Sequence, residues 1–280
     1  MSLNYSVNTN SSALIALQYL NATSMDLQVT QNRINTGKKV DTPKDNGAIW
    51  AIAKNQSSKA NALDAVTDSL DRGKSTVDVA LAAAATITDT LDQMRQKALA
   101  AAETSLDSFS RANLNIEYKV LRDTINQVVS TAEFNGYNLI KSGGINFSAL
   151  SSDDAGTSMT LSAFSLNINT GGSGTITLKS TSVINTSSAA STELTTIKNS
   201  IAAVNTAIAQ MGAQARRLDK QNVFISKLKD AMNVGVGNLV DADLARESAK
   251  LTALQSKQQL GAQALSIANQ STAILTSLFR

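Results

Sequence analysis

The amino-acid sequence predicts a mainly α-helical fold: a long antiparallel helical rod or coiled-coil bundle with a small β-hairpin region and paired N- and C-terminal helices. Apolar residues recur at spacings of three and four along most of the 280 residues, as on one face of a helix. A single proline and only 4% aromatic residues suit long helices better than a dense globular core. Between residues 141 and 192 the composition changes, because 31 of these 52 residues are Ser, Thr, Gly or Asn.

The N-terminal segment is predicted to be a helix over residues 3–34. The helical spacing stops at 36–46, where Gly37 and Pro43 are helix breakers. Thr42 is a suitable N-cap for a second helix that has Pro43 at its first position.

The second helix is predicted to run over about 44–103, which at 1.5 Å per residue is about 90 Å long. Gly73 is its only weak point. A turn at 104–110 separates it from a third helix over about 110–130, and the segment 134–136 (Phe-Asn-Gly) ends that helix.

The Ser/Thr/Gly-rich region 141–192 is predicted to contain a small β-hairpin rather than a disordered linker. Apolar residues alternate there in two phases, as if separated by a bulge, and the alternation resumes after a glycine-rich turn at 171–174. The alternating residues are Met159, Leu161 and Ala163, then Phe164, Leu166 and Ile168, then Ile176 and Leu178.

A fourth helix is predicted over about 192–233, and Gly235 and Gly237 are expected to end it before a terminal helix begins near Asp241. The two breaks, near residue 40 and near residue 236, lie at matching distances from the chain ends. This symmetry predicts a chain that runs out along a rod, turns in the β region and returns, so that the two terminal arms lie side by side.

Both terminal arms are amphipathic and free of charge, since no charged side chain occurs in 1–25 or in 258–279. The C-terminal arm has two apolar stripes whose combined width exceeds that of a two-helix seam. One is Leu244, Leu251, Leu254, Leu265, Ala268, Leu275 and Phe279; the other is Leu260, Ala264, Ile267, Ile274 and Leu278. Such a helix needs several protein neighbours. A membrane span is not predicted, because ten of the 22 residues in 258–279 are Gln, Ser, Asn or Thr.

The sequence offers no constellation for catalysis or for a cofactor. It has no histidine and no cysteine, which excludes Ser/His triads, Cys/His dyads and the common zinc sites. Asp241, Asp243 and Glu247 cluster at a helix start, where N-terminal capping is preferred over a metal site. The net charge of +3 comes from scattered basic residues, so a nucleic-acid-binding stripe is not indicated. An enzyme is therefore not expected.

Several motifs, in the same order along the chain, resemble the bacterial flagellin family. They are Arg33-Ile34-Asn35-Thr36-Gly37, the run from Lys44 to Ala53, Phe134-Asn135-Gly136 with Leu139, Asp241-Ala242-Asp243-Leu244-Ala245-Arg246-Glu247, Gln258-Gln259 with Gly261, and Ala268-Asn269-Gln270 through Leu278 and Arg280. The resemblance covers about 140 N-terminal and 90 C-terminal residues.

The resemblance implies a structural subunit of the flagellar filament, without the large outer domains that many family members carry. It implies five segments: an inner-core helix over 1–42, outer-rod helices over 43–140, a β-hairpin region over 141–192, an outer-rod helix over 193–236 and an inner-core helix over 237–280. The expected assembly residues are Leu3, Val7, Leu14, Leu17, Leu20, Leu27, Ile34, Leu251, Leu254, Leu260, Leu265, Ile267, Ala268, Asn269, Gln270, Ile274, Leu275 and Leu278.

The implied partners are further copies of the chain, the flagellar export apparatus, an export chaperone at the C-terminal arm, and capping and junction proteins. Neither nucleic acid nor membrane is among them. No signal peptide is visible, which agrees with the family's export through the flagellar apparatus to the cell exterior. Two alternatives remain: a hook–filament junction protein, and a soluble coiled-coil scaffold, which would carry charged residues along its helix edges.

Overall fold

The computed structural model describes residues 10–154, 156–168 and 174–278, and from residue 271 onward it describes the backbone alone. Within these residues it confirms the predicted order of five helices and a small β element. The elements are α1 (Ser11–Thr36), α2 (Pro43–Ala102), α3 (Ser108–Thr131), β1 (Phe147–Leu150), β2 (Ser158–Leu161), α4 (Ser187–Val240) and α5 (Leu244–Leu278). They form two compact units: residues 1–58 with 231–280, and residues 59–230.

The uninterrupted part of α2 begins later than predicted. Asn46 has non-helical dihedral angles (φ −162°, ψ 100°), and its side-chain carbonyl accepts a hydrogen bond from the Ile49 amide at 3.0 Å. Asn46 therefore caps the uninterrupted part, whereas α2 as a whole begins at Pro43 as expected, and no described amide donates to the Thr42 side chain. Instead, the Thr42 amide and hydroxyl both donate to the Asp45 carboxylate, which holds the pKa of Asp45 below its usual value.

The fourth helix is longer than predicted at both ends. It begins at Ser187 and continues through Gly235 and Gly237, so that the break lies at 241–243 and the expected end near 233 is wrong. Each glycine costs a helix about 1 kcal/mol relative to alanine. Packing offsets this cost, because the last turns of α4 contribute Val236, Leu239 and Val240 to a small core that also contains Val40, Ile49, Trp50 and Ala53.

In the unit of residues 59–230, α2 and α4 run antiparallel. Lys74 contacts Asp219 at 2.5 Å and Asn222 donates to Asp71 at 2.7 Å, while Ser187 at the start of α4 donates to the carbonyl of Ala102 at the end of α2. Buried apolar side chains recur at spacings of three, four or seven residues along α2, α3 and α4. The main ones are Leu63, Leu70, Val77, Ile87, Leu91, Met94, Tyr118, Ile125, Ile197, Val204, Met211 and Leu218.

The hairpin of the β region pairs β1 with β2, from Phe147 opposite Leu161 to Leu150 opposite Ser158. The prediction placed residues 159–161 in a strand correctly but missed β1. The segments 164–168 and 176–178 are not strands, and the turn between them lies partly outside the described residues. Their alternation does mark burial, because Leu166, Ile168, Ile176 and Leu178 are buried.

In segment 164–168 two amides bind the backbone of residues 139 and 140, and side chains of α3 bind amides in and after this segment. The Ile168 amide donates to the Asn126 side chain at 2.9 Å, and the Ile184 amide donates to the buried Asn115 side chain at 2.9 Å. Both asparagines lie on α3, so the region is fixed to this helix through amide side chains.

Gly73 marks the place where the hairpin approaches α2. A β-carbon added at Gly73 would lie 3.0 Å from Cε1 of Phe147, closer than an ordinary contact. One turn earlier, the hydroxyl of Ser69 accepts a hydrogen bond from the Leu150 amide at 3.0 Å. The residue that weakens the helix by propensity therefore provides room for the first strand.

Candidate assembly surface of the terminal helices

The helices α1 and α5 pack against each other in antiparallel orientation. Asn10, the N-cap of α1, donates to the carbonyl of Ala268 at 2.8 Å, and near the other end of the pair Arg33 contacts Glu247 at 3.2 Å. Half-buried or buried positions recur at alternating spacings of three and four on each helix, which is the pattern of a coiled-coil seam. This seam consists of Ala13, Ala16, Leu20, Thr23, Leu27, Thr30 and Ile34 on α1, and of Glu247, Leu251, Leu254, Gln258, Gly261, Leu265 and Ala268 on α5.

Small residues allow the two helices to approach closely in the middle of the seam. A β-carbon added at Gly261 would lie 3.3 Å from Cδ1 of Leu20 and 3.9 Å from its Cβ. The Leu20 side chain therefore lies over the glycine backbone, as a knob in a hole.

The bases of the two helices are held by a short backbone joint between residues 37–40 and 240–242. The amide of Lys39 donates to the carbonyl of Val240 at 2.7 Å, and the amide of Ala242 donates to the carbonyl of Gly37 at 2.8 Å. Gly37 has a left-handed conformation (φ +71°) that glycine adopts without strain and that ends α1. The joint confirms that the two sequence breaks are neighbours and that the arms begin side by side.

One member of the acidic cluster after this joint, Asp243, has the capping role expected from its position. The Asp243 carboxylate accepts from the amides of Ala245 and Arg246 at 3.0 and 3.2 Å and so caps α5, while Glu247 pairs with Arg33. Among the described residues, no group of three potential acidic metal ligands is close enough to hold an ion. No described helix is long and apolar enough to cross a membrane.

The second apolar stripe of α5 faces away from the seam. Leu260 is 63% exposed and Ile267 is 68% exposed, and Ala264 between them is exposed as well. On α1, Leu14, Ile15, Leu17 and Tyr19 are exposed. The two stripes of α5 thus differ in their surroundings. Leu251, Leu254, Leu265 and Ala268 of the first stripe pack within the chain, although Leu244 is 49% exposed, whereas the described part of the second stripe has no cover within the described residues.

The expected assembly residues divide accordingly. Leu20, Leu27, Ile34, Leu251, Leu254, Leu265 and Ala268 lie in the seam; Leu14, Leu17, Leu260, Ile267, Asn269 and Gln270 are exposed. Leu3 and Val7 lie outside the described residues, and Ile274, Leu275 and Leu278 belong to the part of α5 described by its backbone alone. The sequence interpretation missed the seam roles of Thr30, Gln258 and Gly261, although all three continue the three-and-four spacing.

Two family models match the chain and together span most of it. The model of the bacterial flagellin N-terminal helical region matches residues 7–144, and that of the bacterial flagellin C-terminal helical region matches residues 194–279. This chain belongs to the bacterial flagellin family. In this flagellin the first match contains α1, α2 and α3, the second contains α5 and most of α4, and the β region lies between them.

Curated flagellins match along the full length of the chain. It is 51% identical over 280 residues to flagellin FljM of Caulobacter vibrioides, with 100% of each chain covered. It is 36% identical over 281 residues to a flagellin of Brucella melitensis, with 98% of this chain and 99% of the relative covered. A putative flagellar hook-associated protein from Vibrio parahaemolyticus has a similar fold, with a TM-score of 0.57 at 19% identity over 70% of this flagellin and 100% of that chain.

Proposed function

We propose that this flagellin is a structural subunit that assembles with further copies of itself into the filament of the bacterial flagellum, the extracellular organelle of motility. The family assignment supports this function. The structural observation that carries it is the exposed stripe of Leu260, Ala264 and Ile267 on a helix without a charged residue from 258 to 279. A continuous apolar stripe on such a helix is a surface suited to protein contact.

The arrangement of the arms gives each stripe a separate role in this proposal. The seam pairs α1 with α5 inside one subunit, and the stripe of Leu260, Ala264 and Ile267, with Leu14 and Leu17 of α1, contacts neighbouring subunits. The terminal segments 1–42 and 237–280 then form the inner core of the filament. Segments 43–140 and 193–236 form the outer rod, and 141–192 forms its β-hairpin region.

The proposal extends to the route and the partners of the subunit. It leaves the cell through the flagellar export apparatus without a cleaved signal peptide, with an export chaperone covering the apolar C-terminal arm until assembly. Capping and junction proteins contact it at the filament ends. We assign it no catalytic activity, no cofactor, and no nucleic-acid or membrane partner.

A role as a hook–filament junction protein is not favoured. The likeness to the hook-associated protein rests on 19% identity and concerns the fold alone, whereas relatives aligned over the full length are flagellins. The coiled-coil scaffold is not favoured either, because the exposed positions near the end of α5 are uncharged.

Electron microscopy of the purified chain, concentrated and supplied with short filament fragments as seeds, tests this function. We expect filaments to grow from the seeds in proportion to added subunit. A folded chain that remains monomeric under all seeded conditions would contradict the proposal.

A further inference from the structure

The seam between α1 and α5 repeats every seven residues, and its apolar part alone does not specify how far one helix slides along the other. If α1 moved by one heptad, Leu20 would face Ala268 instead of Gly261, and a small residue would again lie opposite the leucine. Such a slip displaces one helix by about 10 Å, seven times the rise of 1.5 Å per residue. A uniform heptad pattern needs an additional element to select one register.

The seam has uncharged polar residues near its middle, at Thr23 and Gln258, and a charged pair beside the buried Thr30 near the base of the helices. Thr30 is completely buried, and the Arg33 guanidinium contacts the Glu247 carboxylate at 3.2 Å, with exposed side-chain fractions of 32% and 12%. Thr30 Oγ1, Arg33 Nε and Glu247 Oε2 are buried and have no hydrogen-bond partner among the described residues. Such incompletely satisfied polar groups make a poor source of stability, because desolvation opposes the charge attraction.

We propose that Thr30, Arg33 and Glu247 are positioning residues that set the register of the terminal helices. A slip of one heptad that brings Leu20 opposite Ala268 would separate Arg33 from Glu247 and place the guanidinium opposite the buried Leu254. Breaking a buried pair in this way is much more costly than the pair is stabilising when intact, which is how a polar layer discriminates between registers. This flagellin therefore retains a weakly stabilising layer because the layer excludes the slipped pairing.

The register matters for the outer surface of the pair. It sets the position of Leu260 and Ile267 along α5 relative to Leu14 and Leu17 of α1, and hence the outline offered to a neighbouring subunit. This consequence rests on the proposed function, whereas the register itself does not.

The chain has no cysteine, so two engineered thiols report the register without interference. Leu20→Cys with Gly261→Cys reports the observed register, because the two β-carbons would be 3.9 Å apart, within the range of disulfides. Leu20→Cys with Ala268→Cys reports a slip of one heptad. Oxidation of the full-length soluble chain in a glutathione buffer traps even transient pairing, and non-reducing electrophoresis measures each cross-linked fraction.

Both cysteine pairs are compared in the parent chain and in a variant with Arg33→Met and Glu247→Leu. In the parent chain, the 20–261 cross-link is expected to dominate. In the variant, the ratio of the 20–261 to the 20–268 cross-link is expected to fall about tenfold, the factor that corresponds to 1.4 kcal/mol. The matched control replaces the exposed pair of Arg95 and Asp92, 3.1 Å apart on α2, in the same way, and should leave the ratio unchanged.

An unchanged ratio in the Arg33→Met, Glu247→Leu variant would overturn the proposal and assign the register to the backbone joint at 37–40 and 240–242. Loss of both cross-links would also overturn it, since the layer would then hold the helices together rather than position them. Seeded growth of the same variant without cysteines tests the consequence for assembly separately. If a variant with slipped helices grows filaments normally, the register does not matter for assembly, but the cross-linking result on the register itself still holds.

Discussion

The substitution Ile267→Asp is expected to stop filament growth while leaving the soluble subunit folded. Ile267 is 68% exposed on α5, so an aspartate at this position meets water in the soluble chain and costs little. In the filament the same position is proposed to be covered by a neighbouring subunit. The effect should therefore appear only on assembly.

The expected loss of assembly free energy follows from the exposed fraction of the Ile267 side chain. Full burial of an isoleucine contributes about 1.5–3 kcal/mol, and about two thirds of this remains to be gained on assembly, or about 1–2 kcal/mol. Burying an unpaired carboxylate adds a cost of several kcal/mol. A sum of about 4 kcal/mol lowers the affinity of a subunit for the filament end about 1,000-fold, since each 1.4 kcal/mol is tenfold.

The assay pairs thermal melting of each purified variant with seeded growth followed by light scattering. Gln255→Asp is the matched control: it introduces the same charge on α5, at an exposed position on neither stripe, and should allow growth. Leu218→Asp should instead lower the melting temperature of the monomer. Leu218 is only 1% exposed, so an aspartate at this position is buried in the folded monomer itself. Normal growth of the Ile267→Asp variant, or a large loss in its melting temperature, would refute the assignment of this stripe to assembly.

Three further outcomes are expected. Gly73→Ala should destabilise the monomer by about 1–3 kcal/mol, because its methyl group would lie 3.0 Å from Phe147. Gly212→Ala should stabilise the monomer by about 0.5–1 kcal/mol, because the atom nearest to its methyl group would be 3.7 Å away. Thermal melting of both variants checks these two outcomes. Burial raises the pKa of the Tyr118 hydroxyl above its usual 10.0, so above pH 10 the unfolded chain releases a proton that the folded chain keeps. The free energy of unfolding therefore falls as the pH rises above 10. Tyr118→Phe should reduce that alkaline loss in urea titrations at pH 9 to 11, and an equal loss in both chains would contradict it. Limited proteolysis of the monomer should remove about 40 residues from each end and leave a fragment near 41–240, because uncharged arms gain their full burial only on assembly; uniform resistance would contradict this.

The existence and order of the helices were predictable because the three-and-four spacing of apolar residues persists over long stretches. The helix ends were less predictable because local signals competed with packing. Gly235 and Gly237 resemble terminators, yet α4 continues through them to complete the core around Trp50. Propensity differences of about 1 kcal/mol per residue are smaller than the contribution of a buried valine or leucine.

The β region shows a different limit of prediction. Its alternation marked the buried side chains of Leu166 and Ile176 but did not show what the backbone amides of the region bind. Two asparagines of α3, 115 and 126, serve as partners across sequence separations of 69 and 42 residues. A pattern within one segment carries no information about such distant partners. Strands were therefore expected in segments whose amides bind the backbone at 139–140 and side chains of α3 and α4.

The two stripes of α5 show why the assembly surface was only partly predictable. Both have helical spacing and apolar residues, so the sequence indicates that α5 needs several neighbours without indicating which stripe meets which neighbour. The difference arises from features of the partner helix: Leu20 fits over Gly261, Asn10 reaches the carbonyl of Ala268, and Arg33 pairs with Glu247. These contacts bring the stripe containing Leu265 against α1 and turn the stripe of Leu260 and Ile267 outward. A charge at Leu265 would therefore disturb pairing within the subunit as well as assembly, and Ile267 is the residue that separates the two effects.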